Sequence, residues 1–229
     1  MISATRSSVA SRLKKRLSMD AFEASLLATG LRFICGVDEV GRGPLAGPVV
    51  AGAVILNPAD PIEGIDDSKK LSAKARDRLA DQIKQRALAW ATAYVWENEI
   101  DDINIYQASR KAMLLAIDKL PIRPEHILSD AMPLPGCGIP FSAIIHGDAL
   151  SASIGAASII AKVERDAFMD GMDRLYPGYG FHQNKGYPTP EHLASLQRLG
   201  ACPIHRRTYA PVRAVLHRQF TLDLEGRTP

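Results

Sequence analysis

The sequence has little cysteine: three residues, Cys35, Cys137 and Cys202, in 229. Their spacings fit no CxxC zinc or redox pattern, and a low, odd count excludes a disulfide framework and points to a reducing compartment. Cys35 lies in an apolar run and reads as a small buried hydrophobe. No window reaches the roughly 18 to 20 apolar residues needed to span a bilayer. The basic N-terminus (Arg6, Arg12, Lys14, Lys15, Arg16) is followed by Asp20 and Glu23 instead of an apolar core. That argues against a signal peptide and sets cytoplasmic location as the expectation. Charge of one sign is also scarce, since 28 Lys and Arg face 25 Asp and Glu for a net charge of +3. Such a balance permits a polyanionic partner without requiring one. No internal repeat appears.

What is present suits a soluble globular chain with one sizeable core, with 46% hydrophobic and 23% charged residues. The simplest division has a helical or flexible segment over 1–30, a main body over 31–200, and a C-terminal helix and tail over 201–229. Phe22, Leu26 and Leu27 fall at helical spacing, with Ser18 as N-cap and Gly30 as stop. Segments 31–40 and 47–56 read as strands around Gly41, Gly43 and Pro44, giving an antiparallel hairpin with a glycine-rich loop. Ser72 caps a helix over 73–88, and 89–96 reads as a strand. A second amphipathic helix covers 105–120. Short apolar strands at 126–129 and 142–146 lead into Asp130 and Asp148. A long helix follows over 149–171, small or apolar almost all round in its first half. Residues 176–188 read as a loop, and Thr189-Pro190 opens another helix. Strands alternating with helices predict an α/β fold with a mixed β-sheet flanked by helices, extended by C-terminal helix.

The chemistry sits where the acids are out of place. Asp38 interrupts the apolar run FICGVDEV, where desolvation penalises a charge, and Glu39 follows. Asp130 and Asp148 each come straight after a strand-like run, and strand ends in such sheets gather ligand sites. Either of the latter two, taken alone, is more readily a turn or cap residue. Together the four carboxylates repel one another unless a cation neutralises them. Oxygen-only ligation selects Mg²⁺ or Mn²⁺ over zinc. Neighbouring strand residues point to opposite faces, so Asp38 and Glu39 reach one ion only if the Gly41-Arg42-Gly43 turn distorts the strand end. That turn fits no P-loop. It is either a plain hairpin turn or a close approach of backbone to ligand, with Arg42 on a phosphate. Lys69 and Lys70 precede a helix N-terminus, which attracts anions. Lys185 and Tyr187 lie among Tyr176, Tyr179, Phe181 and His182, either a stacking surface or a packed aromatic loop. Lys162 and Asp166 read as an i,i+4 ion pair.

Five ordered motifs, GVDEVGRGPLAGPVVAGAVIL, DSKKLS, GDALSASIGAASIIAKVERD, YGFHQNKGYPT and HRRTYAPV, resemble the bacterial ribonuclease HII family over residues 31–215. The resemblance implies an RNase H-like fold and a monomeric, Mn²⁺- or Mg²⁺-dependent endonuclease. It implies cleavage of the RNA strand of RNA–DNA hybrids, and incision on the 5′ side of a ribonucleotide embedded in DNA. It makes Asp38, Glu39, Asp130 and Asp148 the catalytic metal ligands. Gly41, Arg42, Gly43 and Tyr187 would read the ribose, and Lys69 and Lys185 the phosphates. Three flanks depart from the usual pattern: Asn184 replaces a His, Ala131 a Gly and His146 a Lys. The alternatives are another RNase H-like nuclease, such as a type 1 ribonuclease H or a junction resolvase, and a non-catalytic nucleic-acid-binding module.

Overall fold

Apart from Asp38 and Glu39, strands β1 (Ile34–Val40) and β2 (Val49–Ile55) carry apolar or small residues on both faces, and β2 is buried throughout. Strands of that composition belong at the centre of a sheet covered on both sides. β3 (Ala89–Val95) alternates buried and partly buried positions, as an edge strand does. A computed structural model, which describes residues 21–225 apart from 66, 67, 69 and 70, places them so. The five-stranded sheet runs β3-β2-β1-β4-β5, with β4 (His126–Asp130) and β5 (Phe141–Ile144) completing it. β1 pairs parallel to β4 and β4 parallel to β5. The α/β sheet flanked by helices that the sequence predicts is present.

The helices follow local signals with four differences. α1 (Ala21–Leu27) stops at Gly30 as expected, while its predicted cap Ser18 lies outside the described residues. α2 (Ala73–Arg86) begins where the Ser72 hydroxyl accepts from the Ala75 amide. The helix predicted from 105 has an additional stretch before it: α3 (Glu97–Asp118) is two helices joined at Asn104, whose φ is 67°. The long helix predicted from 149 is interrupted. α4 (Gly147–Leu150) is a single turn, Ser151 is extended, and α5 (Ala152–Leu175) starts afresh. The loop over 176–188 contains a further short turn, α6 (Phe181–Asn184). α7 (Pro190–Leu199) is capped by Thr189 with Pro190 in the first turn, as the sequence indicates. The last helix, α8 (Ala210–Glu225), is longer than the short one expected.

The chain divides into two compact units. The first comprises residues up to 39, 51–93 and 113–161, and holds most of the sheet. There α5 lies directly on the central strands. A Cβ built on Gly36 would stand 2.0 Å from the Ser153 carbonyl carbon, and one on Gly52 would stand 2.4 Å from the Ala157 oxygen. The small residues in this half of α5 permit that approach. Ile34, Leu128, Ile144 and Ile154 form a core cluster with Leu26 and Leu27 of α1 against it. The second unit comprises 40–50, 94–112 and the chain from 162. One of its cores gathers Ala46, Met169, Tyr179, Phe181 and Ile204, another Leu45, Leu196, Val212 and Val215.

Candidate active site

All four predicted acids lie in the first unit. The β1–β4 register ends with Val37 opposite Ser129, so one step further sets Asp38 beside Asp130, and residues paired in this way share a face. Asp38 is buried, and its Oδ1 accepts the Glu39 amide at 2.7 Å. Burial pushes its carboxyl well above the ordinary range. The charges of Glu39 and Asp130 push it the same way, and hydrogen bonds from Ser158 and the Glu39 amide only partly oppose them. Glu39 is half-buried at the end of a strand that stays regular to Val40, so the adjacent acids keep the alternation of a strand.

Asp130 is the last residue of β4, as predicted, and its Oδ1 accepts the Gly147 amide at 2.7 Å. Asp148 does not end a strand. It sits buried in the single turn α4, beyond the end of β5. The Asp130–Gly147 bond ties this turn to β4. Two of the altered flanks lie on either side of that bond, and both adopt left-handed backbone: Ala131 with φ 52° and His146 with φ 59°. A residue with a Cβ pays roughly 1–2 kcal/mol for that conformation. Among the described residues, no group of three or more His, Cys, Asp or Glu side chains is set to hold a metal ion. Glu39 and Asp130 both act electrostatically on Asp38.

The predicted ribose-reading residues lie together in the second unit. Arg42 and Gly43 are exposed and Gly41 is buried with φ 102°. A Cβ on Gly43 would lie 3.6 Å from the Tyr187 ring, so that ring stands in contact range of the turn. Tyr187 is 39% exposed, and the Arg165 guanidinium stands 5.9 Å from its centroid. The neighbouring aromatics are not a stacking surface. Tyr179 and Phe181 are buried and stacked on each other at 5.2 Å, with His192 and His205 packed around them. Lys185 binds the Asp170 carboxylate, which also accepts from His182 at 2.9 Å. Lys162 pairs with Asp166 at 2.6 Å, as read from the spacing. Asn184, the altered residue of that motif, is a loop staple: its Nδ2 donates to Tyr179 O and its Oδ1 accepts the Gly186 amide. Lys69 lies outside the described residues.

Two residues carry more of this region than sequence reasoning gave them. Arg165 and Arg206 are fully buried. Arg206 donates to the carbonyls of Gly41, Arg42 and Gly47 and to the Tyr209 hydroxyl. Arg165 donates to the carbonyls of Ala46, Pro48 and Lys185. Burial lowers both guanidinium pKa values, that of Arg165 to about 10. Both positions stand inside quoted motifs, AKVERD and HRRTY. No local pattern marks a basic residue there as buried.

The ribonuclease HII family model matches residues 35–212. Ribonuclease HII of Syntrophomonas wolfei is 50% identical over 204 residues, 89% of this chain and 80% of that protein. The crystal structure of ribonuclease H2 from Pyrococcus horikoshii aligns with a TM-score of 0.70 at 27% identity, covering 82% of this chain and 98% of that one. A ribonuclease HIII crystallised with Mn²⁺ shares the fold, with a TM-score of 0.60 at 20% identity over 81% of this chain and 70% of that one. With the family model spanning most of the chain and a relative half identical over about nine-tenths of it, the chain belongs to the ribonuclease HII family, the type 2 ribonucleases H, which are endoribonucleases.

Proposed function

We propose that the chain hydrolyses the RNA strand of RNA–DNA hybrids and incises DNA on the 5′ side of a single embedded ribonucleotide, leaving a 3′-hydroxyl and a 5′-phosphate. Asp38, Glu39, Asp130 and Asp148 are the catalytic set. The observation that carries this is Asp38: a buried carboxyl on a central strand, with Glu39 and Asp130 both acting against its ionisation. A structural protein gains nothing from that arrangement, because it destabilises the charged form. The donors are all carboxylate oxygens, the chemistry that suits Mg²⁺ or Mn²⁺. When bound, such ions supply neutralisation of the acids and the phosphate, and acidify a water for attack.

The chain's own residues do the rest. Asp38 and Asp130 present oxygens from neighbouring strands, and the Gly147 amide fixes the rotamer of Asp130. Gly41, Arg42, Gly43 and Tyr187 recognise the ribose, since telling RNA from DNA at one nucleotide requires a contact to its 2′-hydroxyl. Lys185 and Lys69 serve the flanking phosphates, and Lys185 exchanges Asp170 for phosphate when substrate arrives. The reading also takes the protein as a cytoplasmic monomer acting in ribonucleotide excision repair, with 31–200 as its catalytic domain.

The test uses a DNA duplex with one ribonucleotide, in Mg²⁺ or Mn²⁺, with a chelator control. Wild type cuts once, 5′ to the ribonucleotide. Asp38→Asn keeps the Glu39 amide bond, folds, and does not cut. Near-normal cutting by Asp38→Asn would overturn the assignment.

A further inference from the structure

The loop that follows β1 is held from within chiefly by the buried Arg206 side chain. Arg206 has five N–H donors, and all five are spent: Nε and one Nη2 proton on Gly47 O at 2.9 and 2.8 Å, the other Nη2 proton on Gly41 O at 2.6 Å, and the Nη1 protons on Arg42 O and Tyr209 Oη, both at 3.0 Å. The Tyr209 hydroxyl donates in turn to Arg42 O at 2.8 Å. Backbone bonds complete the anchor, from Gly47 N to Ile204 O and from Arg206 N to Leu45 O.

The consequence is geometric. All peptide bonds here are trans. In a trans peptide the carbonyl and the next amide point in opposite directions. With Gly41 O and Arg42 O turned inward to the guanidinium, the amides of Arg42 and Gly43 are turned the other way, at two exposed residues beside Tyr187. Arg165 secures the far side of the same loop and, through Lys185 O, the segment that carries Tyr187.

We propose that Arg206, with Tyr209, is a positioning residue for ribose selection: it locks the Gly41–Gly43 turn in one peptide orientation and so presents the turn's amides toward substrate. This rests on the reading that the turn and Tyr187 contact the ribose. A lysine cannot substitute. It has three donors on a point charge, whereas the planar fork of arginine reaches four acceptors at once.

The experiment measures binding, not cutting, in the full chain carrying Asp38→Asn. Affinity is measured for a duplex with one ribonucleotide and for the same duplex in all-DNA form, and the ratio of the two is the readout. A loss of folded protein alone scales both affinities equally and leaves the ratio unchanged. Arg206→Lys and Tyr209→Phe are each expected to reduce the ratio, Arg206→Lys by about tenfold, the value of roughly one well-aligned hydrogen bond. Tyr209→Phe removes only one hydroxyl and decides the matter if Arg206→Lys does not fold. If Tyr187→Ala reduces the ratio while Tyr209→Phe and a folded Arg206→Lys keep it, the positioning role is wrong and ribose reading stands. If Tyr187→Ala and both others keep the ratio, ribose reading by this unit is wrong as well.

Discussion

Replacing Gly36 with alanine tests whether the acids depend on the contact between β1 and α5. The new Cβ would lie 2.0 Å from the Ser153 carbonyl carbon and 2.3 Å from Ile154 N and Ser153 O. Carbon atoms pack at about 3.5–4.0 Å, so strand and helix must separate by about 1.5–2 Å. All three obstructing atoms are backbone, and no side chain can rotate away. Overpacking costs about 1–3 kcal/mol, and a site with no escape belongs at the upper end. For a chain of this size each kcal/mol moves Tm by about 2–4 °C, so a fall of about 6–12 °C is expected by thermal unfolding. Activity should fall more than stability. Gly36 is two residues before Asp38, and Ser153 lies in the first turn of the helix that follows the Asp148 turn. A displacement of about 1 Å in a catalytic group costs on the order of 100-fold in rate. Cleavage of the single-ribonucleotide duplex, assayed well below Tm, should drop by about that factor. A Tm within 2 °C of wild type, with unchanged cleavage, would show that the close approach does not hold the site.

Two further substitutions probe stability. Burial and the charge of His192 hold the buried His205 near pKa 4, against 6.5 for a free histidine. The unfolded chain therefore binds a proton near pH 6.5 that the folded chain refuses until about pH 4, so stability falls as pH drops through that window. At about 1.36 kcal/mol per pKa unit the loss reaches about 3 kcal/mol at its foot. His205→Gln should flatten the decline of Tm between pH 7 and 4.5, and parallel curves for variant and wild type would contradict it. Ala131→Gly relieves a left-handed backbone worth about 1–2 kcal/mol while giving the unfolded chain about 0.4–1 kcal/mol of entropy. A gain of between zero and about 1.5 kcal/mol in denaturant unfolding is expected, and a loss would show that Ala131 is unstrained.

Much of the molecule is written locally. Ser72 and Thr189-Pro190 begin α2 and α7 because each cap bonds an amide within three residues. The apolar runs of β1 and β2 could satisfy their surfaces only at a sheet centre. Asp38 stood out because a charge in such a run has no structural use. The rest was decided at a distance. The long helix breaks at Ser151 where Glu23, 130 residues from Ser153 in sequence, accepts the Ser153 amide and the Ser151 hydroxyl on one carboxylate oxygen. No window around 151 contains that partner. Asp148 was placed at a strand end for the same reason, since only the bond from Gly147 to Asp130 shows that it sits on a separate turn. The aromatic run gave no sign of which rings were core, because Tyr179 and Phe181 are buried by His192 and His205 from later in the chain. Nothing in HRRTY singles out Arg206, which lies 165 residues beyond the carbonyl of Gly41 that it holds. Sequence determined which groups could do the chemistry, because charge and hydropathy are properties of single residues. Tertiary structure decided how they are aimed, because aim is set by hydrogen bonds between segments that no local pattern connects.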